Sequence, residues 1–235
     1  MPRIAVVAIV VAVTAAITWR YPLFHVLSLK ETTRQAENAA FNAAEFATKF
    51  WDERLTPALE QAADAAQVIA AFKTDPADAR KRMGRSVGIT RSTLLLVRGK
   101  GQIAAVEDSR IGVMLEGNPL KRNGSQEAVE PDLWLSMGPI FSNAIRDSTG
   151  LLLSRDFSNS QDFNSIAKAL NGIVEQRVMP GIKGAATPGK SIRFAACAEV
   201  PGGQVKLPLT LIPLQAVIEQ TADSLCAAGL PGRSL

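Results

Sequence analysis

In 235 residues the chain has one histidine, His25, one tyrosine, Tyr21, and two cysteines, Cys197 and Cys226. That scarcity excludes several chemistries. A zinc centre needs several His, Cys, Asp or Glu at ligand spacing, whereas His25 sits beside an apolar N-terminal run and the two cysteines lie far apart. A Ser-His-Asp triad would have to use His25, and no G-x-S-x-G elbow is present. A cysteine nucleophile lacks the same partner. There is no Walker A sequence and no dinucleotide fingerprint, so Gly99-Lys100-Gly101 reads as a hairpin turn. No metal and no cofactor are expected. With one tyrosine, stacking platforms are sparse. The net charge of +4 is mild and its Lys and Arg are scattered. A pI near 9.3 therefore describes a mixed, solvated surface, and no nucleic-acid partner is expected.

What is present is nearly half apolar and one-fifth charged, the balance of a chain with a real core. Ile4 to Trp19 carries no charge and follows the basic start Met1-Pro2-Arg3. Two readings compete for it. One is a cleaved signal peptide with a small-residue site around Thr14-Ala15-Ala16. The other is an uncleaved membrane anchor, favoured because Arg20 can snorkel and Trp19 and Tyr21 suit the interface. The first would leave a free exported domain, the second one tethered to the inner membrane and facing the periplasm.

Lys30 to Phe72 is helical in pattern, with Ala39, Ala43, Phe46, Phe50 and Trp51 on one stripe. Thr56-Pro57 reads as a break and restart, since Pro fits a first helical position. Leu59, Ala62, Ala66 and Ile69 carry the second stripe, and Thr74-Asp75-Pro76 ends it and caps a shorter helix. Beyond Gly84, Thr93 to Val97 and Gln102 to Val106 read as a hairpin about the glycine turn. Ile111 to Leu115 and Leu133 to Met137 read as further strands. The central helix is the clearest element. Phe163, Ile166, Ala167, Leu170, Ile173, Val174 and Val178 fall near a period of 3.6, Asn159 or Ser160 caps the start, and Pro180-Gly181 stops it. Ser191 to Val200 and Val205 to Ile218 follow as strands, with Pro208 and Pro213 placing the last at an edge or bulge. The divisions are 1–28 for the membrane segment and linker, 29–83 helical, and 84–145 a first β unit. The central helix and a second β unit take 146–218, and a tail takes 219–235. The fold class is α+β.

An ordered set of marks carries a resemblance. They are FNAAEFATKFWDERLTPAL, Asp75-Pro76, Gly84-Arg85-Ser86-Val87-Gly88, Gly99-Lys100-Gly101, Gly138-Pro139, Arg146-Asp147 and DFSNSQDFNSIAKALN. Together, over roughly Phe41 to Ile218, they resemble a bacterial family of predicted periplasmic lipoproteins of unknown function. The resemblance implies OB-like, β-barrel-like antiparallel units preceded by helices. It also implies a genetic link to sugar ABC transporters, so transporter components are expected partners. The sequence departs from the family in having no lipobox cysteine, which turns the expectation from a lipid anchor to a protein anchor. The family supplies no catalytic residues.

The candidate site is the polar run into the central helix. Arg155, Asp156, Asn159 and Gln161, with Arg146 and Asp147, are the planar hydrogen-bonding types that hold a small polar solute such as a sugar. Phe157 and Phe163 supply an apolar wall. The competing explanation is a helix cap, local ion pairs and a core-facing Phe pair. Glu107-Asp108 and the pair Asp156 and Asp162 are the carboxylates a glycosidase would need. The cysteines leave a Cys197–Cys226 disulfide open. Closing a loop of about 30 residues would stabilise by roughly 3–4 kcal/mol, but Cys197 lies in an apolar strand where a free thiol packs well. The expected role is a membrane-tethered binding or assembly accessory of sugar transport. An Asp-dependent hydrolase of envelope carbohydrate and a purely structural partner are the alternatives.

Overall fold

The longest strand organises the chain. In the computed structural model, which describes residues 41–87, 92–117 and 130–219, β3 (Ser92–Glu107) runs unbroken for 16 residues. The expected hairpin at Gly99-Lys100-Gly101 is not formed. Those glycines lie inside β3 because neighbours approach its backbone closely. A Cβ at Gly101 would overlap the Met114 carbonyl, and one at Gly99 would press on Ala65 and Phe194. The true hairpin turn is at Asp108-Ser109, between β3 and β4 (Arg110–Leu115).

β3 serves several partners. β1 (Ala63–Asp64) pairs with it in parallel and β2 (Arg85–Val87) antiparallel. Thr93 to Gln102 pairs with β6 (Ser191–Val200), and Gly101 to Glu107 with β4. β4 pairs with β5 (Leu133–Ser136), β5 with β7 (Leu209–Glu219), and β7 with β6. The path β3-β4-β5-β7-β6 therefore returns to β3. Strands from the two expected β units share one seven-stranded sheet. The sheet is mixed rather than antiparallel, since β5 and β7 run parallel with Leu133 opposite Leu209. Pro213 falls where sequence placed it, at a bulge: Ala195 faces Gln215 and Ala196 faces Pro213, leaving Leu214 unopposed.

The helices pack on this sheet. α1 (Ala43–Phe50) continues through a π-helical turn, Trp51–Leu55, into α2 (Thr56–Leu59). Thr56-Pro57 makes no break. The Thr56 hydroxyl donates to the Trp51 carbonyl instead of capping, and Pro57 sits in the first turn of α2. α3 (Ala65–Thr74) and α4 (Pro76–Met83) follow, and Asp75 caps α4 by accepting from the Ala77 and Asp78 amides. α5 (Ala144–Ser148) precedes α6 (Ser160–Ile173). Pro180 does not stop the central helix. A second π-helical turn, Val174–Val178, leads into α7 (Met179–Ala185), whose first turn tolerates the missing Pro180 donor. The described residues from Asn42 onward belong to one compact unit.

The buried faces of β3 to β7 supply the core, including Leu95, Ile103, Leu133 and Leu135, and α6 adds Ile166 and Leu170. One carboxylate is set into it. Asp132 has no exposed side-chain surface, pairs with Lys73 at 3.2 Å and accepts from the Leu115 amide at 2.9 Å. It ties α3 to the β4–β5 pair. Asp132→Ala is expected to lower the unfolding free energy by about 1–3 kcal/mol, because the Leu115 donor is left buried without its acceptor. A urea midpoint unchanged from the wild type would refute this role.

Cys197 on β6 is free and fully buried, and Cys226 lies outside the described residues. Burial pushes the Cys197 thiol up to about 12, against a smaller opposing hydrogen bond with Ser148. Its folded value is raised above its unfolded one, near 8.5–9. The stability it contributes is therefore complete below pH of about 9 and is lost as pH climbs toward 12. In reduced protein the wild type should lose up to about 1.4 kcal/mol per pH unit across that window relative to Cys197→Ala. Parallel pH–stability curves for the two proteins would overturn this.

Candidate functional site

The polar run into α6 divides into structural and free groups. Asn159 caps α6: its Oδ1 accepts from the Asp162 amide at 2.7 Å and its Nδ2 donates to the Asp162 carboxylate at 2.8 Å. Arg146 is buried on α5. It makes two bonds to Asp147, at 2.7 and 2.9 Å, and donates to the Phe163 carbonyl and to Asn164 Oδ1. Its guanidinium lies 3.7 Å from the centre of the Phe163 ring. Phe163 in turn packs on Phe157, and Phe157 on Phe46. Arg146 and Asp147 are thus the expected ion pair, and they lock α5 to α6. Arg155 and Asp156 are exposed on a 3-10 turn, Ser154–Asp156, and Gln161 is exposed in the first turn of α6. None of the six lines the depressions described below.

A depression that sequence reading missed lies beside them. It has a volume of about 540 Å³ and is walled by residues 139–143 on one side and α6 on the other. Asn164 belongs to both places, touching Arg146 and lining the depression. At its lip stands Phe141, 95% exposed. The turn bearing it is held from α6. Asn171 Nδ2 donates to the Ile140 carbonyl at 3.2 Å and the Ser142 carbonyl at 3.0 Å, one on each side of Phe141. One turn along, Glu175 Oε1 accepts from the Ile140 amide at 2.7 Å. Because both carbonyls need a donor, the Asn171 amide has one orientation, and its Oδ1 is left buried without a partner among the described residues. Lys168 and Asn143, both exposed, lie at the rim. The one available signal for this site was Asn171 itself, a polar residue on the buried face of the helix between Leu170 and Val174.

Two other depressions are lined differently. One, of about 510 Å³, has Asp64, Arg98, Lys100 and Arg193 around Phe194, and Lys100 and Arg193 are paired with Glu116 and Glu219. Another, of about 300 Å³, lies between the two π-helical turns, with Trp51, Thr56, Arg177 and Val178. Among the described residues no group of three His, Cys, Asp or Glu is placed to hold a metal.

The match that bears on identity covers residues 7–216 and carries the description "Predicted periplasmic lipoprotein (DUF2291)". The chain belongs to that family. Family membership places it with proteins of the cell envelope and states no molecular function. The chain is also similar to the crystal structure of an OB-fold protein from Thermotoga maritima, at 28% identity and a TM-score of 0.65, over 77% of this chain and 99% of that one. The OB-fold likeness accords with the five-strand path above and with a helix, α6, between its third and fourth strands. No curated protein matches the chain. No helix among the described residues is long and apolar enough to cross a membrane, and Ile4 to Trp19 lies outside them.

The division of the polar run predicts a graded mutation series in this family member. Arg146→Ala should cost about 1.5–3 kcal/mol, since it removes charge-assisted bonds to Asp147. Asn159→Ala should cost about 0.5–2 kcal/mol through the lost cap. Arg155→Ala and Asp156→Ala should stay within about 0.5 kcal/mol of the wild type, as exposed changes do. Denaturant unfolding of the four proteins tests the order, and an Arg155→Ala loss as large as that of Arg146→Ala would break it.

Proposed function

We propose that the chain is a non-catalytic binding or assembly accessory of the cell envelope that works through the Phe141 turn. Its N-terminal segment tethers it, and its OB-like barrel stands in the periplasm as the rigid support. The observation carrying this reading is the contrast at Phe141: the ring is 95% exposed, yet its turn is fixed by three hydrogen bonds from α6 and the π-helical turn that follows it. An exposed phenylalanine gains nothing in the free monomer. Holding it rigid lowers the entropy lost when a partner covers it. The hydrolase alternative has weaker support, because, of its candidate carboxylates, Glu107 and Asp162 are engaged by Arg110 and Asn159 while Asp108 and Asp156 are exposed.

A second reading, capture of a small polar solute linked to sugar uptake, is favoured by one observation. Asn143 and Asn164, both exposed and both lining the depression, offer hydrogen-bonding groups of the right kind. The two readings separate experimentally. A photoreactive phenylalanine analogue at position 141 should cross-link to protein in intact membranes, and the same analogue at Arg155 should not. Equal yields at both positions would refute the assembly reading. A panel of neutral mono- and disaccharides should leave the melting temperature unchanged. A sugar at a hundredfold excess over its Kd would add about 2.7 kcal/mol, and such a shift would favour the second reading.

A further inference from the structure

The depression and the projecting ring lie on the same patch, and the patch has a symmetry of its own. Lys168, Gly172 and Glu175 follow one another at i, i+4 and i+7, so they share one face of the central helix, and all three line the depression. Nothing stands within 4 Å of where a Gly172 Cβ would be, so the helix backbone is open to close approach there. The exposed cation of Lys168 lies on one side of this point and the exposed carboxylate of Glu175 on the other. Along the axis they are about 10.5 Å apart at 1.5 Å per residue.

We infer that this face is an isologous interface, and that the partner covering Phe141 is a second copy of this chain. The inference rests on the assembly reading above and names its partner. A twofold axis between Asn171 and Gly172 sets two central helices antiparallel. Lys168 of each copy then meets Glu175 of the other, with the open Gly172 of both copies at the crossing. Phe141 enters the other copy's depression, whose volume of about 540 Å³ accommodates an aromatic ring. A patch that carries both the projection and the recess, with charges arranged head to tail, is complementary to itself, as a twofold interface requires. Exposed ion pairs contribute little affinity. They fix register and exclude the parallel arrangement, which would set Lys168 against Lys168.

The test uses the full-length chain in membranes, with Cys226→Ser to leave buried Cys197 as the remaining native thiol. Gly172→Cys is treated with a bismaleimide that spans the roughly 8–10 Å between packed helices. Most chains should shift from 25.1 kDa to a covalent dimer. Adding Phe141→Ser or Lys168→Glu should cut the dimer at least tenfold, with melting temperatures unchanged by circular dichroism. Asp78→Cys, on the exposed side of α4, should not cross-link. Gly172→Cys that cross-links no better than Asp78→Cys overturns the homodimer. If the position-141 photo-adduct then joins a different protein or lipid, the assembly reading survives with another partner. If no adduct forms either, both fall.

Discussion

The pairing of β3 with β6 is the contact on which the rest depends. It joins residues nearly a hundred positions apart, Leu95 to Ala198 and Val97 to Ala196, and it gives the strand path its return. Without it the sheet would have two open edges, each with unpaired backbone donors and acceptors. The pairing also sets the demand on β3, whose first part lies against β6 while its end turns to β4. Gly101 stands where both partners meet the strand, and only a residue with no Cβ fits beneath the Met114 carbonyl. Such long-range pairing must be closed before it rewards the chain. The buried tie of Asp132 to Lys73 and Leu115 then fixes α3 to the far side of the same sheet.

The regular elements with strong local patterns were legible. β6 runs over the same residues, Ser191 to Val200, that its apolar run suggested, and the Asn159 cap and the Asp75 cap lie where their side chains predicted. Glycine and proline misled, and for one physical reason. Each records a local backbone demand, but sequence does not say which. Gly99-Lys100-Gly101 has turn composition, yet the demand there is close approach of neighbours. Pro180 read as a stop and Thr56-Pro57 as a break before a new helix; Pro57 does stand in a first turn, but both prolines lie in segments that continue a helix through a π-helical turn. A π-helical turn shifts the hydrogen-bond ladder by one residue, which makes room for a residue without an N–H.

The candidate site was legible by residue type and not by partner. The Arg146-Asp147 pair and the aromatic pair Phe157 and Phe163 were singled out and are in contact with their neighbours. Their partners lie within α5, α6 and α1, however, so what looked like a polar recognition loop is largely the fastening between helices. Arg155, Asp156 and Gln161 stay exposed and unassigned to any cleft. Local density of polar side chains does not separate the two cases, because capping and ligand binding draw on the same residues.

Phe141 marks the opposite failure. Sequence offers no reason to look at a lone phenylalanine between Ile140 and Ser142, since most such residues are buried. What makes it unusual is a combination of two distant facts, its exposure and the clamp from Asn171 on α6 and Glu175 on the π-helical turn that follows it. Asn171 is the link. An asparagine on the buried face of an amphipathic helix needs a local explanation, and here its two amide donors hold the turn at the expense of a stranded acceptor. It follows that Asn171→Leu, which restores the helix's apolar face, would release the turn while leaving the core intact. The gain in apolar contact would be set against the Ile140 and Ser142 carbonyls, which would lose the donor that Asn171 supplies.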